Sequence, residues 1–199
     1  MMARWGCVFN LDGVDNLWAV KDCRKKEDKI MKGNNMHADN YIVEFLIDKK
    51  SYFCIWHSDE RDVFWTEKDK IIYFTEITEL QRFCEKEKVQ IDEEVITYDV
   101  DKLIVLLDED KLEIDCNFCI DMWNIFQDCA YSAGEKFNGD KEKRNHVYSK
   151  LFYGLNLPVI NTSGKQYIPE FSASEKEEIV DVLNEGLFLL RKQFNLERL

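Results

Sequence analysis

The sequence has few residues that break secondary structure and little positive charge. It holds only 2 prolines and 8 glycines among 199 residues, and its 27 Lys and Arg are outnumbered by 39 Asp and Glu, which leaves a formal net charge of -12. An anionic surface disfavours nucleic acid as a ligand, because phosphate binding needs a cationic face. Since 45% of the residues are hydrophobic and 13% are aromatic, the chain can bury enough apolar surface to fold, which excludes a disordered acidic chain.

Long hydrophobic runs and a secretory leader are also missing. The longest apolar runs, such as residues 103–107, fall far short of the roughly 20 residues that span a bilayer, and the N-terminus lacks the cationic and apolar stretches of a secretory signal. We therefore expect no membrane segment and a cytoplasmic location. At roughly 100–200 residues per domain, the length predicts one domain over residues 1–199, with a sheet-rich lobe at 1–100 and a helical lobe at 101–199.

The sequence contains none of the signatures of the common enzyme classes: no G-x-S-x-G, no Walker A loop and no G-x-G-x-x-G. His37, His57 and His146 stand far apart in the sequence, and none has the spacing of a metal ligand. Seven scattered cysteines predict reduced, buried thiols. Cys116 and Cys119 have C-x-x-C spacing, but the second half of a zinc site is missing. We expect no catalytic activity, no cofactor and no metal.

The pattern of residues predicts an α+β fold, in which an N-terminal antiparallel sheet of hairpins packs against a mainly helical C-terminal half. Strands are expected at residues 41–47, 52–57, 63–66 and 71–74, in two hairpins with turns at 48–51 and 67–70. An earlier strand at residues 5–10, followed by a turn at 11–14, is expected to join them.

Apolar residues at three- and four-residue spacing predict helices in most of the remaining chain. Thr75 is expected to cap the first helix. A short strand is expected at residues 95–98, and the apolar run at 100–107 that follows it fits either a strand or a helix, of which we favour a helix capped by Asp99. Further helices are expected near residues 119–130, from about residue 141 to residue 153, and from residue 174 onward. The last of them is expected to begin with a capping box formed by Ser174 and Glu177.

The acidic residues concentrate in one part of the chain. Between Asp92 and Asp128, twelve Asp and Glu stand against two lysines, so twelve minus two leaves -10 in 37 residues, and only -2 of the total -12 belongs to the other 162. Such clustering predicts an acidic face that speeds encounter with a cationic partner by about ten- to a thousandfold at low salt. A charge run is also typical of an ordinary solvated surface.

The residues expected to contact such a partner are the acidic members of this region together with one aromatic anchor. They are Asp92, Glu93, Glu94, Tyr98, Asp108, Glu109, Asp110, Glu113 and Asp115. A compact acidic protein can block a nuclease by placing carboxylates where the phosphates of the substrate bind.

Two other groups leave different functions open. Asp121 and Asp128, with Asn124 between them on one helix, would suit acid–base catalysis if they lined a cleft. His57 begins a segment of imidazole and carboxylates at residues 57–62 that a divalent metal could use. The same residues are also typical of the polar face of a helix and of a solvated charged turn, which would have no catalytic or metal-binding role. Two other functions are therefore alternatives: an enzyme whose active site carries none of the common sequence motifs, and a general acidic adaptor protein.

Residues 123–128 and 148–158 resemble a pattern found in small bacterial immunity proteins of polymorphic toxin systems, including those paired with contact-dependent growth-inhibition toxins. The resemblance covers about residues 98–190, and the residues that carry it are expected to be scaffold: Trp123, Asn124, Asp128, Tyr148, Lys150, Asn156 and Pro158. It implies a cytoplasmic protein that binds and neutralises a cognate toxin and catalyses no reaction. Together with the acidic region, it predicts a basic, nuclease-type toxin as the partner.

Overall fold

The computed structural model describes residues 40–108, 114–162 and 164–196, except for the side chain of Asp108. The described residues all fall within one compact unit. The predicted strand at residues 5–10 and the turn at 11–14 lie outside them. Strands dominate the first part of this segment, interrupted by one helix before the last strand, and helices form the rest, so the predicted α+β fold is confirmed.

The sheet is built on a hairpin whose turn requires two left-handed residues. β1 (Asn40–Ile47) pairs antiparallel with β2 (Lys50–His57) along its whole length. Asp48 and Lys49 form the turn with φ angles of 52° and 59°, and two such residues give a turn whose twist matches that of the flanking strands. The predicted hairpin is confirmed, with a turn of two residues rather than four.

A second hairpin extends from the sheet. It is made of four two-residue strands, β3 (Val63–Phe64), β4 (Thr66–Glu67), β5 (Lys70–Ile71) and β6 (Tyr73–Phe74). β4 pairs with β5 across Lys68 and Asp69, whose φ angles of 51° and 62° repeat the first turn. β3 and β6 both pair antiparallel with β2. The second predicted hairpin is confirmed, and its base belongs to the main sheet.

The last strand departs from the predicted antiparallel arrangement. β7 (Asp92–Asp99) pairs parallel with β1, which gives a mixed sheet of order β3-β2-β1-β7. The chain between β6 and β7 contains α1 (Ile77–Glu87), which provides the long crossover that a parallel neighbour requires. Alternating hydrophobicity indicates a strand but does not indicate the direction in which it pairs.

The helix α1 covers one face of the sheet. Its residues Leu80 and Cys84 are buried in a cluster with Ile42 of β1. Glu76 is the residue at the N-cap and its side chain makes no capping hydrogen bond, so the prediction that Thr75 caps this helix was wrong. Burial of the apolar stripe rather than a side-chain cap therefore positions α1.

Four more helices form the C-terminal half. They are α2 (Val100–Asp108), α3 (Cys116–Ser132), α4 (Asn145–Gly154) and α5 (Ala173–Gln193). Short 3-10 turns at Asn138–Asp140 and Glu142–Arg144 precede α4, so the helix predicted from about residue 141 begins at Asn145. In the described part of the chain, no helix has both the length and the apolar character needed to cross a membrane.

The start of α5 corrects a second predicted cap. The Ser172 hydroxyl accepts a hydrogen bond from the backbone N–H of Glu175, and the Glu175 carboxylate accepts one from the backbone N–H of Ser172. The predicted capping box of Ser174 and Glu177 was therefore wrong by two residues. Both S-x-x-E pairs occur in the same short segment, so the motif alone did not distinguish them.

The second face of the sheet packs against the helical half around Phe194, which follows α5 and is 1% exposed. Its ring stacks on Tyr52 with 5.3 Å between centroids and meets the edge of Phe45 at 5.6 Å. Nearby, Arg191 of α5 donates to both carboxylate oxygens of Asp48 at 3.1 and 3.0 Å. This bidentate ion pair joins the turn of the first hairpin to the last helix.

The capping box also predicts how stability depends on pH. The pKa of Glu175 falls from 4.5 to about 2, chiefly because Lys150 donates to its carboxylate, and further because the Ser172 backbone N–H does so. A folded-state pKa below the unfolded value means that this stabilisation is present above about pH 4.5 and is lost as the pH falls towards 2.

We therefore expect Glu175→Gln to lower the Tm near about pH 7 and to have a vanishing effect near about pH 2. Thermal unfolding of both proteins, followed by circular dichroism across this range, measures the difference. A difference in Tm that stays constant with pH would contradict the assignment.

Candidate functional site

Eight of the twelve acidic residues between Asp92 and Asp128 have side chains that the structure describes, and these eight lie on different elements. The other four have side chains that lie outside the description: Asp108, Glu109, Asp110 and Glu113. The eight described residues divide among the beginning of β7, the starts of α2 and α3, and the body of α3.

Three carboxylates occupy the beginning of β7. The register between β1 and β7 shifts after Asp92, so that Val95 is the next residue opposite β1 and Glu93 and Glu94 have no partner position in the ladder. Both of these glutamates are exposed. The Asp92 carboxylate accepts a hydrogen bond from the backbone N–H of Glu94 at 3.0 Å. The irregularity therefore presents two neighbouring carboxylates at the edge of the sheet.

A fourth carboxylate, which the sequence analysis missed, is held on the adjacent strand. Glu44 of β1 lies opposite Thr97 of β7, and its Oε2 accepts a hydrogen bond from the Thr97 hydroxyl at 2.7 Å. Its Oε1 accepts one from the Ser51 hydroxyl at 2.6 Å. Each carboxylate oxygen has further lone pairs, so Glu44, which is half-buried, can also accept from a partner.

We define Asp92, Glu93, Glu94 and Glu44 as the β7 acidic surface. At a strand rise of about 3.3 Å per residue, Thr97 lies about 10 Å along β7 from Glu94. One signal in the sequence could have identified Glu44: it is the only charged residue in the run Ile42-Val43-Glu44-Phe45, which is otherwise apolar.

Three other acidic residues of the region accept hydrogen bonds from backbone N–H groups at helix starts and at a turn. Asp99 and Asp115 each accept a hydrogen bond from the N–H three residues later, at 2.8 and 3.2 Å, and so cap the starts of α2 and α3. Asp101 accepts from both N–H groups of the β1–β2 turn at 2.7 and 2.8 Å. Capping explains why the sequence has acids at these positions. Asp115, which was predicted to contact the partner, thus caps α3 while it remains exposed, and its contact with a partner stays a prediction.

The predicted aromatic anchor, Tyr98, packs on the other side of the sheet. Its ring stacks on Phe45 with 5.8 Å between centroids and 30° between planes. Phe45 is fully buried and also contacts Phe194. Because successive strand residues face opposite sides, Tyr98 and Thr97 lie on different faces. Tyr98 thus packs towards the helical half, away from Glu44.

Asn124, the middle residue of the alternative acid–base site, belongs to the interface between α3 and α4. Asn124 is buried, and its Oδ1 accepts a hydrogen bond from the Tyr148 hydroxyl at 3.0 Å. The ring of Trp123 lies 5.5 Å from that of Tyr148. Asp128 is also buried, while Asp121 is half-buried. Trp123, Asn124 and Tyr148 therefore hold α3 against α4.

The segment that begins at His57 is tied to the rest of the fold. His57 Nδ1 lies 2.9 Å from the Asn40 side-chain oxygen, and the Arg61 guanidinium lies 3.3 Å from the centroid of the Tyr131 ring. Asp62 is 2% exposed. Among the residues that the structure describes, no group of three or more His, Cys, Asp or Glu is placed to hold a metal ion.

The pKa values of the two C-x-x-C cysteines are shifted in the opposite direction from those of a redox-active pair. The pKa of Cys119 rises from 9.0 to about 12, chiefly because the thiol is buried and to a smaller extent because Cys116 and Asp115 lie nearby. Burial and then Asp115 also raise the pKa of Cys116. Reactive cysteines have lowered pKa values, because the thiolate is the nucleophile. Both cysteines are free thiols, as predicted, and so are the other described cysteines: Cys54, Cys84 and Cys129.

We expect iodoacetamide at about pH 8 to leave Cys119 of the native protein unmodified over several hours, because almost none of this thiol is ionised. The denatured chain, in which burial is lost, is expected to react completely. Mass spectrometry of proteolytic fragments separates the two cases. Rapid modification of Cys119 in the native protein would contradict the expectation.

The fold defines this chain as an α+β protein with a mixed sheet, whose edge strand β7 begins with three carboxylates. Comparison with protein families, curated proteins and solved structures finds no match to it. The resemblance to immunity proteins therefore stays a prediction.

Proposed function

We propose that this protein is a bacterial immunity protein that acts in the cytoplasm by binding and neutralising a cognate cationic toxin of the nuclease type. The observation that carries the proposal is the β7 acidic surface, in which Glu93 and Glu94 are exposed at an irregularity of β7 and the oriented carboxylate of Glu44 lies about 10 Å farther along the ladder. Cations that bind phosphates in a nuclease groove would bind these carboxylates instead. No reaction is needed for such a protein to act.

The carboxylates are expected to make different contributions to binding. Exposed charges at an interface mainly raise the rate of encounter, whereas a desolvated charge pair prolongs the complex. Glu93 and Glu94 are exposed and suited to the first role. Glu44 is half-buried and held by Ser51 and Thr97, so a lysine or arginine of the toxin would meet a carboxylate whose orientation is already fixed.

The experiment is co-expression of the full chain with the product of the gene directly upstream of its own. We expect rescue of growth from the toxicity of that product and a stable complex when the two proteins are purified together. A non-toxic upstream product, or toxicity that persists although the full chain is expressed in folded form, would contradict the proposal. A general acidic adaptor would give no rescue.

A further inference from the structure

The turn between α3 and α4 contains a pair of residues that can react with each other without an enzyme. Asn138 and Gly139 form the only Asn-Gly pair among the 199 residues, and they lie in the 3-10 turn Asn138–Asp140. In such a pair the backbone nitrogen of the glycine can attack the side-chain amide carbon of the asparagine. Glycine has no Cβ to hinder this approach, so the pair is a chemically labile position of the chain.

The reaction is a deamidation in two steps. The Gly139 nitrogen forms a bond to Asn138 Cγ and loses its proton, while the Asn138 side-chain nitrogen takes up a proton and leaves as ammonia. The product is a five-membered cyclic imide. One water molecule then opens this imide, either at the side-chain carbonyl, which gives aspartate, or at the backbone carbonyl, which gives isoaspartate. Water is the only co-reactant, and nothing is oxidised or reduced.

Glu185 of α5 holds Asn138 in the turn. Its Oε2 accepts a hydrogen bond from the Asn138 backbone N–H at 3.0 Å, and its Oε1 accepts one from the Asn138 side-chain N–H at 2.8 Å. The side chain that must rotate for the reaction is therefore bound at its amide end. The carboxylate also lies beside the amide that would become an anionic intermediate during the attack, and like charges repel.

The backbone of the turn opposes the reaction as well. A residue in a 3-10 turn has a ψ angle near about -25°. Closure of a five-membered ring instead requires the Cα–Cβ bond of Asn138 to be almost eclipsed with the bond from its carbonyl carbon to the Gly139 nitrogen. The turn must therefore open before the two atoms can meet.

The reaction products do not fit the closed turn. Gly139 is buried, and a Cβ atom added to it would lie 2.7 Å from Trp123 Nε1 and still closer to the ring of Phe137. Isoaspartate lengthens the backbone by one carbon immediately before this crowded position. Aspartate keeps the length of the backbone but replaces the side-chain donor by a second carboxylate opposite Glu185. Either product therefore hinders the turn from closing again.

We propose that Asn138–Gly139 is a self-modification site at which deamidation occurs only while the turn is open, and that Glu185 keeps the turn closed. The rate then equals the intrinsic rate of the Asn-Gly pair multiplied by the fraction of molecules in which the turn is open. Each event removes one molecule from the native population without a protease or a modifying enzyme. This property goes beyond toxin binding and does not depend on it.

The test is the rate at which Asn138 is converted in the purified full chain at about pH 8 and about 37 °C, where we expect the native wild type to react at least about a hundredfold more slowly than the chain unfolded in guanidinium chloride. Mass spectrometry of proteolytic fragments measures the conversion, and chromatography separates the aspartate product from the isoaspartate product. The unfolded chain gives the intrinsic rate.

Replacing Glu185 by alanine is expected to speed the reaction of the native chain at least about tenfold, because two hydrogen bonds to a charged acceptor are lost. Glu177→Ala is the matched control, because Glu177 is an exposed acid on the same helix and its removal changes the charge equally. This control is expected to react at the wild-type rate.

Low concentrations of urea separate opening of the turn from unfolding of the whole chain. Global unfolding exposes a large surface and increases steeply with urea, whereas opening of one turn exposes little. We therefore expect the rate of the Glu185→Ala variant to stay nearly constant in urea below its unfolding transition. Circular dichroism locates that transition for each variant.

Four outcomes would overturn the proposal: a native wild type that reacts as fast as the unfolded chain, an unchanged rate in Glu185→Ala, equal acceleration in both variants, or a rate that follows global unfolding in urea. None of these measurements involves the toxin. Failure here would leave the proposed function intact, and failure of toxin rescue would leave this site intact.

Discussion

Replacing both Glu93 and Glu94 by lysine is expected to slow association with the cationic toxin at least tenfold at low salt, with a smaller effect on dissociation. Both side chains are exposed at the beginning of β7, at positions that have no partner residue in the ladder with β1. Each replacement changes the charge by two, so the net charge moves from -12 to -8. Stopped-flow fluorescence or surface plasmon resonance gives the two rate constants.

A matched variant separates the position of the charge from its amount. Glu142 and Glu177 are exposed in the helical half, and replacing both by lysine also gives a net charge of -8. We expect this control to slow association less than about threefold, because most of its effect is screened beyond a Debye length. Equal slowing by both double variants would show that net charge alone is responsible and would reject the β7 acidic surface.

Replacing Gly186 by alanine is expected to destabilise the fold by about 3 kcal/mol, the upper end of the usual cost of overpacking a core. Gly186 is the position on α5 where the helix approaches Phe126 of α3, and an added Cβ would lie 2.0 Å from Phe126 Cδ2. Phe126 is fully buried and cannot swing into solvent. Urea unfolding gives the free energy, and the Tm is expected to fall by about 9 °C for a chain of this size.

The sign of the Gly186→Ala effect distinguishes packing from helix propensity. Alanine is favoured over glycine inside a helix by about 1 kcal/mol, so a gain in stability would show that the two helices do not meet closely at this position. Combining Gly186→Ala with Phe126→Leu is expected to cost less than the sum of the two single changes. Gly134→Ala is a useful control, because no heavy atom lies within 4 Å of its added Cβ and only its φ of +64° opposes the change.

The sequence pattern correctly predicted those helices and strands that are defined by residues close together in the sequence. The residues of the two hairpin turns lie together in the sequence, and both hairpins form where the pattern predicts. The apolar stripe of α5, which includes Ile179, Val182 and Leu190, is buried as its spacing predicts. These features depend on residues close in sequence, so a pattern of a few positions is enough to define them.

Features that depend on distant parts of the chain were not predictable in the same way. Val95 pairs with Ile42 in a parallel ladder although 53 positions separate them, and Arg191 pairs with Asp48 across 143 positions. The S-x-x-E motif occurs twice in the same segment, and only Ser172 forms the cap of α5. Such choices are decided by packing between elements, about which hydrophobic periodicity says nothing.

In the candidate site, too, the sequence predicted what depends on neighbouring residues and did not predict what depends on distant ones. Counting acids located the beginning of β7 but did not identify the carboxylates that bind backbone N–H groups, those of Asp99, Asp101 and Asp115, because their formal charge is the same as that of Glu93. Glu44 was missed because it is distant in sequence and joins the surface only through the β1–β7 ladder. Strand pairing, rather than composition, determines which carboxylates lie together.

The dependence of the association rate on ionic strength tests the central claim most directly. The full chain and its toxin should be mixed at salt concentrations from about 50 to about 500 mM, over which the Debye length falls severalfold. If carboxylates near β7 steer a cationic toxin, the association rate constant of the wild type falls by at least tenfold across this range, and that of the Glu93→Lys, Glu94→Lys variant falls much less. Association that is equally fast at every salt concentration would contradict electrostatic recognition.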